Sequence, residues 1–188
     1  MDFSKAKGIL GDKFSRDADF LSSVVSKLKL VKKSKVLDVG TGRGHMAILL
    51  TLHGYQVITG EPEGANWGDW KTLAKKVSVE DMITFKPFNA EKMPFEDASF
   101  DAIFLYTSFH HIGNKKLALS EFLRVMKPKG TLIIIELTEE GVEVVRKRWR
   151  GHPDVVDPKV YTKDLAFEEK VIESKYLNAY IYSRIINE

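Results

Sequence analysis

The sequence contains no cysteine. That excludes disulfides, thiolate-held zinc and a cysteine nucleophile, and it agrees with a reducing compartment. No apolar run is long enough to span a bilayer, and the opening Met1-Asp2-Phe3-Ser4-Lys5 lacks the charged-then-apolar layout of a secretory signal. A cytoplasmic location with no membrane partner is therefore expected. There is no internal repeat and no low-complexity linker. Charge of one sign is scarce as well: a net +3 is too small to argue for nucleic acid by itself. His45, His53 and His152 are scattered without metal-ligand spacing, so no metal is expected. What remains, 188 residues at 44% hydrophobic and 29% charged, suits one globular domain with a substantial core.

The chain is organised around Val36-Leu37-Asp38-Val39-Gly40-Thr41-Gly42-Arg43-Gly44-His45-Met46-Ala47. An apolar strand ending in an acid runs into three alternating glycines, and a helix-like pattern follows. Glycines at this spacing suit a sharp turn where backbone approaches a ligand, because no Cβ stands in the way. They also leave the first N–H groups of the next helix free to point at that ligand. The loop reads as a cradle for a polar small molecule at the carboxyl end of the first strand of an α/β sheet.

Around it, periodicity predicts an amphipathic helix over 14–32, with Ser15 as its N-cap and Phe20, Leu21, Val24, Val25 and Leu28 on one stripe. Such a helix packs on the sheet or forms a lid. Met46 to Leu52 continues a buried helix that Gly54 stops. Val57-Ile58 reads as a strand ending at Gly60, and Trp67, Trp70, Leu73 and Val77 mark a further helix. Strands are predicted over 82–85, 101–106 and 131–137. A helix over 114–126 between the last two turns Leu117, Phe122, Leu123 and Met126 inward and ends in a turn at Lys127-Pro128-Lys129-Gly130. A helix over 139–150 leads to a loop at 151–158. Then 171–176 and 179–186 face each other across Leu177-Asn178 as an antiparallel hairpin. The alternation argues a Rossmann-like, doubly wound α/β fold: a mostly parallel seven-stranded sheet with a C-terminal antiparallel hairpin.

Two large ligand classes share this layout, nicotinamide or flavin dinucleotides and S-adenosylmethionine (SAM). The dinucleotide fingerprint wants a third small residue at position 45, where His45 stands. Counting from Gly42 and Gly44 reaches Ala47, a formal match that sets Asp38 two residues too early. The loop alone leaves both classes open.

Six segments in order are more specific. Val36–Ala47 resembles the first motif of class I SAM-dependent methyltransferases, an acid preceding Gly-x-Gly-x-Gly. Glu61 ends the second strand about 20 residues past the first glycine, where an acid accepts from ribose hydroxyls. Asn89-Ala90-Glu91-Lys92-Met93-Pro94-Phe95 resembles the family's Asp-Ala-x-x-Leu-Pro-Phe loop, and Ser99-Phe100-Asp101 its lead into the fourth strand. Phe109-His110-His111-Ile112 and the run Glu121 to Gly130 resemble its later helix and turn. The nearest resemblance is to the ubiquinone and menaquinone C-methyltransferase group, across residues 34–137. It implies one domain over 1–188: a helical cap over 1–33, a SAM-binding core over 34–137, and a substrate-side helix, loop and hairpin over 138–188. It also implies methyl transfer to a small-molecule acceptor.

On that resemblance, Asp38 orients the cofactor's amino end, and Gly40, Thr41, Gly42 and Gly44 form its cradle. Glu61 takes the ribose, Asn89 and Ala90 flank the adenine, and Tyr106 lies near the methionine portion. Asn89 stands where the family has Asp, so it meets an adenine amino group without full charge. Lys129 replaces a turn glycine, and Glu61 replaces the commoner Asp.

Methyl transfer is an in-line displacement whose main demand is alignment. Where the acceptor carries a proton, His110 or His111 is the candidate base, against a pocket-lining role. Neighbours on a helix diverge, so at most one is expected to point into a site. The run Arg146-Lys147-Arg148-Trp149-Arg150 grips an anionic group or forms a solvated helix end. Trp67, Trp70, Phe109 and Trp149 form a substrate pocket or ordinary core. The Asn-Pro-Pro-Tyr signature of amino methyltransferases is absent, which argues against nucleic acid or protein as acceptor. An NAD(P)-binding oxidoreductase and a non-catalytic SAM-binding subunit are the rivals, and the oligomeric state stays open.

Overall fold

A computed structural model of the chain describes residues 3–65 and 68–185, in two compact units, 1–89 and 90–188. The first opens with α1 (Phe3–Leu10) and α2 (Asp12–Lys27). They are separated by Gly11, whose φ of 89° only glycine adopts readily. The helix expected over 14–32 is α2, which starts two residues earlier and stops at Lys27, and α1 ahead of it was not anticipated. Ser15 is not a cap: its hydroxyl donates to the Lys7 carbonyl at 2.7 Å and ties the joint between the helices. Phe14, Leu21, Val24 and Val25 form the buried stripe of α2.

Next come β1 (Val36–Val39), α3 (His45–Leu52) and β2 (Val57–Gly60), followed by α4 (Trp70–Lys76) and β3 (Ile83–Phe85). All of β1 is buried, as is α3 from His45 to Thr51, as expected of a helix that is apolar all round. Gly54, at φ 90°, ends α3 as expected. The α4 helix starts at Trp70, where Asp69 accepts from the Thr72 N–H. Trp67 lies outside the described residues. Both β1–β2 and β2–β3 pair in parallel.

The second unit contains β4 (Phe100–Tyr106), α5 (Lys115–Val125), β5 (Met126–Leu137) and α6 (Glu139–Arg146). A short α7 (Lys159–Thr162), β6 (Phe167–Glu173) and β7 (Leu177–Arg184) complete it. Parallel β4–β5 pairing runs from Ala102↔Thr131 to Tyr106↔Ile135. Lys127 to Gly130 is not a free turn. It bulges at the start of β5, between the pairs Phe100↔Met126 and Ala102↔Thr131, and the Lys127 ammonium reaches Asp101 at 2.8 Å. Leu117 is 46% exposed rather than inward, and Ala118, Leu119, Phe122 and Val125 form the buried face of α5. The α6 helix stops at Arg146, short of Arg150, and α7 was not anticipated.

The hairpin exists, but its turn lies at Ser174–Tyr176. Leu177 and Asn178 already belong to β7, paired with Leu137 and Glu136 on one side. Ile186 lies outside the described residues. Strand order across the seven-stranded sheet is β3-β2-β1-β4-β5-β7-β6, and the β5–β7 and β6–β7 pairs are antiparallel. This is the expected doubly wound fold with an antiparallel end. Among the described residues, no helix is long and apolar enough to cross a membrane.

Candidate functional site

In the first unit the site grows from the turn between β1 and α3. Gly40, Gly42 and Gly44 have φ of 94°, 49° and 77°, a run that side chains with Cβ resist. The loop's amides fold back rather than out. Those of Gly40 and Thr41 both donate to the Gly60 carbonyl, at 3.1 and 3.3 Å, and that of Gly44 donates to Thr41 at 2.7 Å. The Gly42 amide donates to the Glu61 carboxylate at 2.7 Å. Space separates the glycines further. A Cβ on Gly44 would lie 2.7 Å from the Trp70 Cβ, whereas one on Gly42 would meet nothing within 4 Å. Gly44 is thus a packing glycine, and Gly42 borders open space.

Behind the turn runs a hydroxyl relay. The Thr59 hydroxyl donates to Asp38 Oδ2 at 2.8 Å. Its contact with Thr41 Oγ1 at 2.9 Å must then have Thr41 as donor, because a hydroxyl has one proton. Thr41 and Thr59 therefore position Asp38, and Thr59 was not anticipated. Asp38 is fully buried and its Oδ1 has no partner. Burial pushes its pKa up to about 8, the Thr59 hydrogen bond opposes this, and Glu61 adds to it. Glu61 is also raised, by burial, against the Gly42 amide. Two acids held this way favour a partner with hydrogen-bond donors and positive charge. Asn89 is exposed at the end of the same unit.

In the second unit, Ala90 is buried, as is Tyr106 at the carboxyl end of β4. After Thr107, at φ 49°, one 3-10 turn spans Phe109–His111. Because β4 and β5 are parallel and in register at Tyr106↔Ile135, their carboxyl ends lie side by side. That brings His110, just beyond β4, onto Glu136, near the end of β5. His110 Nδ1 lies 2.6 Å from Glu136 Oε2, both side chains are buried, and the His110 backbone N–H donates to Glu136 Oε1 at 3.3 Å. His110 Nε2 is buried and unpartnered.

The two histidines do diverge in environment, His110 buried and His111 exposed. Their ring centres nevertheless lie 4.0 Å apart. His152 is not isolated either: its ring lies 4.9 Å from that of His110. Arg146 braces its segment, donating to the His152 carbonyl at 2.9 and 3.1 Å and to Asp154 at 2.6 Å. Of the basic run, Arg146 is therefore a structural brace, while Lys147, Arg148, Trp149 and Arg150 are exposed. The aromatics take separate ring partners: Phe85 for Trp70, Tyr161 for Phe109, and His111 with His152 for Trp149. Among the described residues no group of side chains could hold a metal ion.

Glu136 went unnoticed in the sequence, and His152 was set aside as one of three scattered histidines. Glu136 had a signal, as an acid at the end of the apolar run Leu132 to Leu137. For His152 there was none, because its neighbours are distant in sequence.

Residues 37–134 match the family described as Methyltransferase domain. The ubiquinone/menaquinone biosynthesis C-methyltransferase of Shewanella pealeana is 30% identical over 151 residues, covering 74% of this chain and 58% of that protein. The demethylmenaquinone methyltransferase of Clavibacter sepedonicus is 27% identical, over 68% of this chain and 51% of its own length. The chain thus spans just over half the length of these curated relatives. Among solved structures, a SAM-dependent methyltransferase from Aquifex aeolicus superposes with a TM-score of 0.69 over 98% of this chain and 100% of that one, at 24% identity. The cyclase SpnF superposes at 0.72 over 92% and 83%, at 17% identity. At these identities the two structures establish the shared fold alone. The family match covers more than half of the sequence, with the glycine turn, Glu61 and the His110 turn inside it, and the chain belongs to the methyltransferase-domain family.

Proposed function

We propose that the chain is a SAM-dependent methyltransferase with a small-molecule acceptor, that residues 1–188 act as one methyltransferase domain, and that it works in the cytoplasm. The observation that carries this is Asp38: a fully buried carboxyl whose Oδ1 lacks a partner, beside a turn with open space at Gly42. Leaving such a group unsatisfied is costly, and an ammonium is the partner that both charge and burial call for. SAM carries one on its methionine portion. The residues present therefore fit the cofactor.

Asp38 would hold the amino end, with Thr59 and Thr41 fixing its carboxyl. Gly40, Thr41, Gly42 and Gly44 would shape the cradle, and Glu61 would exchange the Gly42 amide for ribose hydroxyls. Asn89, Ala90 and Tyr106 enter as cofactor contacts on the family resemblance. When bound, SAM supplies an electrophilic methyl group. His110 supplies a base: with Nδ1–H donating to Glu136, its lone pair sits on Nε2, and Glu136 offsets the charge the ring gains on taking a proton. His111 would line the acceptor side.

Titration calorimetry with S-adenosylhomocysteine tests the reading. Micromolar binding is expected, lost in Gly42→Val, which fills the open space. Binding of NADH in place of S-adenosylhomocysteine would favour an oxidoreductase. Cofactor binding without turnover across a broad metabolite panel would favour a non-catalytic subunit.

A further inference from the structure

Ahead of β1 the charge is all of one sign. Residues 20–37 contain Lys27, Lys29, Lys32, Lys33 and Lys35 and no acid, and the first acid beyond them, Asp38, is fully buried. All five lysines are exposed. A helix C-terminus accounts for Lys27, the last residue of α2, but the other four lie past it. Among them stands Val31, 69% exposed and the most exposed large apolar side chain of the described residues. The turn that carries it is built. Lys29 takes a φ of 51°, the Tyr55 hydroxyl donates to the Leu30 carbonyl at 2.9 Å, and the Ser34 N–H donates to the Val31 carbonyl at 2.9 Å. Because β1, β2 and β3 are parallel, their amino ends share this edge of the first unit. Lys75 and Lys76, closing α4, add two cations there, and Glu80 and Asp81 ahead of β3 add two acids. The excess charge of the edge therefore comes from 27–35.

We infer that the turn over 29–33 docks the protein on a membrane surface rich in anionic lipid, with the ammonium groups at the phosphates and Val31 entering the headgroup layer. Each lysine near such a surface strengthens binding by about five-fold. Composition selects lipid over nucleic acid. Residues 27–35 have no arginine to grip a phosphate bidentately and no aromatic ring for bases to stack on, and an apolar tip gains nothing from a phosphate backbone. Docking of this kind needs no spanning helix, so the expectation of no membrane partner, which rested on the lack of a spanning run, does not bear on it. It also leaves the cofactor turn free. The glycine turn lies at the other end of β1, four residues away at about 3.3 Å each. The inference therefore stands apart from the methyltransferase reading.

The test is co-sedimentation of the full chain with vesicles of phosphatidylcholine alone and of phosphatidylcholine with phosphatidylglycerol at about 30%, in about 0.1 M salt. Binding to the anionic vesicles should be at least about ten-fold tighter and should weaken as salt rises. Lys29→Gln, Lys32→Gln and Lys33→Gln together should weaken it by about 100-fold. Removing three charges elsewhere, with Lys116→Gln, Lys147→Gln and Lys163→Gln, should weaken it by less than about five-fold. Val31→Trp should bind about ten-fold tighter, with its fluorescence shifting to the blue on vesicle addition. S-adenosylhomocysteine affinity should not change in any of these variants. No binding to anionic vesicles, equal binding to neutral ones, or equal losses from the two triple variants would each overturn the docking surface. So would a Val31→Trp variant that binds no tighter and shows no shift. If poly(U) at equal phosphate concentration strips the chain from the vesicles, the patch is a nucleic-acid surface and the inference falls.

Discussion

Glu136 holds His110 at two points, through the ring Nδ1 at 2.6 Å and through the backbone N–H at 3.3 Å. A carboxyl group bound to both cannot shift without losing one, so the imidazole's tautomer and orientation are set together. If His110 is the base, His110→Asn should lower kcat by about 10²–10⁴-fold. Glu136→Gln should lower it by about 10–100-fold with KM little changed. Nitrogen NMR of the His110 ring reads the positioning directly. In the wild type the proton should sit on Nδ1, and in Glu136→Ala the tautomers should mix. Full activity in His110→Asn would remove the base from the mechanism.

Asp38 stands for a trade between stability and binding. Its folded-state pKa, about 8, lies above its ordinary value of about 3.9. The folded state therefore binds the proton more tightly. Asp38's contribution to stability is fully present below about pH 4 and is lost as pH rises to about 8. Asp38→Asn removes that loss, so the variant should be the more stable chain at pH 8, by up to about 5 kcal/mol, with the gap closing towards pH 4. Thermal unfolding against pH measures it. The same variant should bind S-adenosylhomocysteine at least ten-fold more weakly. A variant less stable than wild type at pH 8 would show that Asp38 is not strained when unliganded.

Gly42 and Gly44 sit two residues apart yet should fail differently. Gly44→Ala forces a Cβ to 2.7 Å from the Trp70 Cβ at φ 77°, a clash that should cost about 2–4 kcal/mol of stability. Gly42→Ala meets open space at φ 49°, so its cost should stay near 1 kcal/mol. Its penalty should appear as lost cofactor affinity. Urea unfolding beside cofactor titration separates the two effects, and equal stability losses would contradict the assignment.

His45 makes the fold sensitive to acid. It is buried edge-on to Phe14 with ring centres 5.5 Å apart. Burial first, then Lys13 and Arg43, push its pKa down to about 4. Below its ordinary value of about 6.5 the unfolded chain takes up the proton more readily. Stability contributed by His45 is thus present above pH 6.5, is lost as pH falls towards 4, and changes no further below. The loss should be on the order of 3 kcal/mol. His45→Phe keeps a ring against Phe14 and should flatten this window. Taking the difference between the two chains cancels the opposite trend from Asp38.

Much of this protein was legible in its sequence because local chemistry wrote it there. Alternating glycines suit a turn that needs positive φ, and the three of 40–44 all adopt it. The apolar runs over 36–39, 101–106 and 131–137 became buried strands, since a parallel sheet covered on both faces has no polar side to display. Asp38 and Glu61 were visible as acids at strand ends. Helix ends were read less well: the helix predicted over 14–32 runs from Asp12 to Lys27, and Leu117 turned outward, because a period of 3.6 leaves flanking positions to tertiary packing.

What no local pattern could supply was pairing at a distance. Glu136 meets His110 only because β4 and β5 run parallel in register, so both strands deliver their ends to the same edge. His152 reaches the same histidine because Arg146 folds its segment back. Thr59 and Thr41 serve Asp38 only once β2 lies against β1. The sequence by itself determined the sheet, the turn and the family they mark, since each follows from residues close along the chain. The tertiary structure alone decided which side chains share a proton, because those contacts join residues 18 to 26 positions apart that only the register of strands brings within reach.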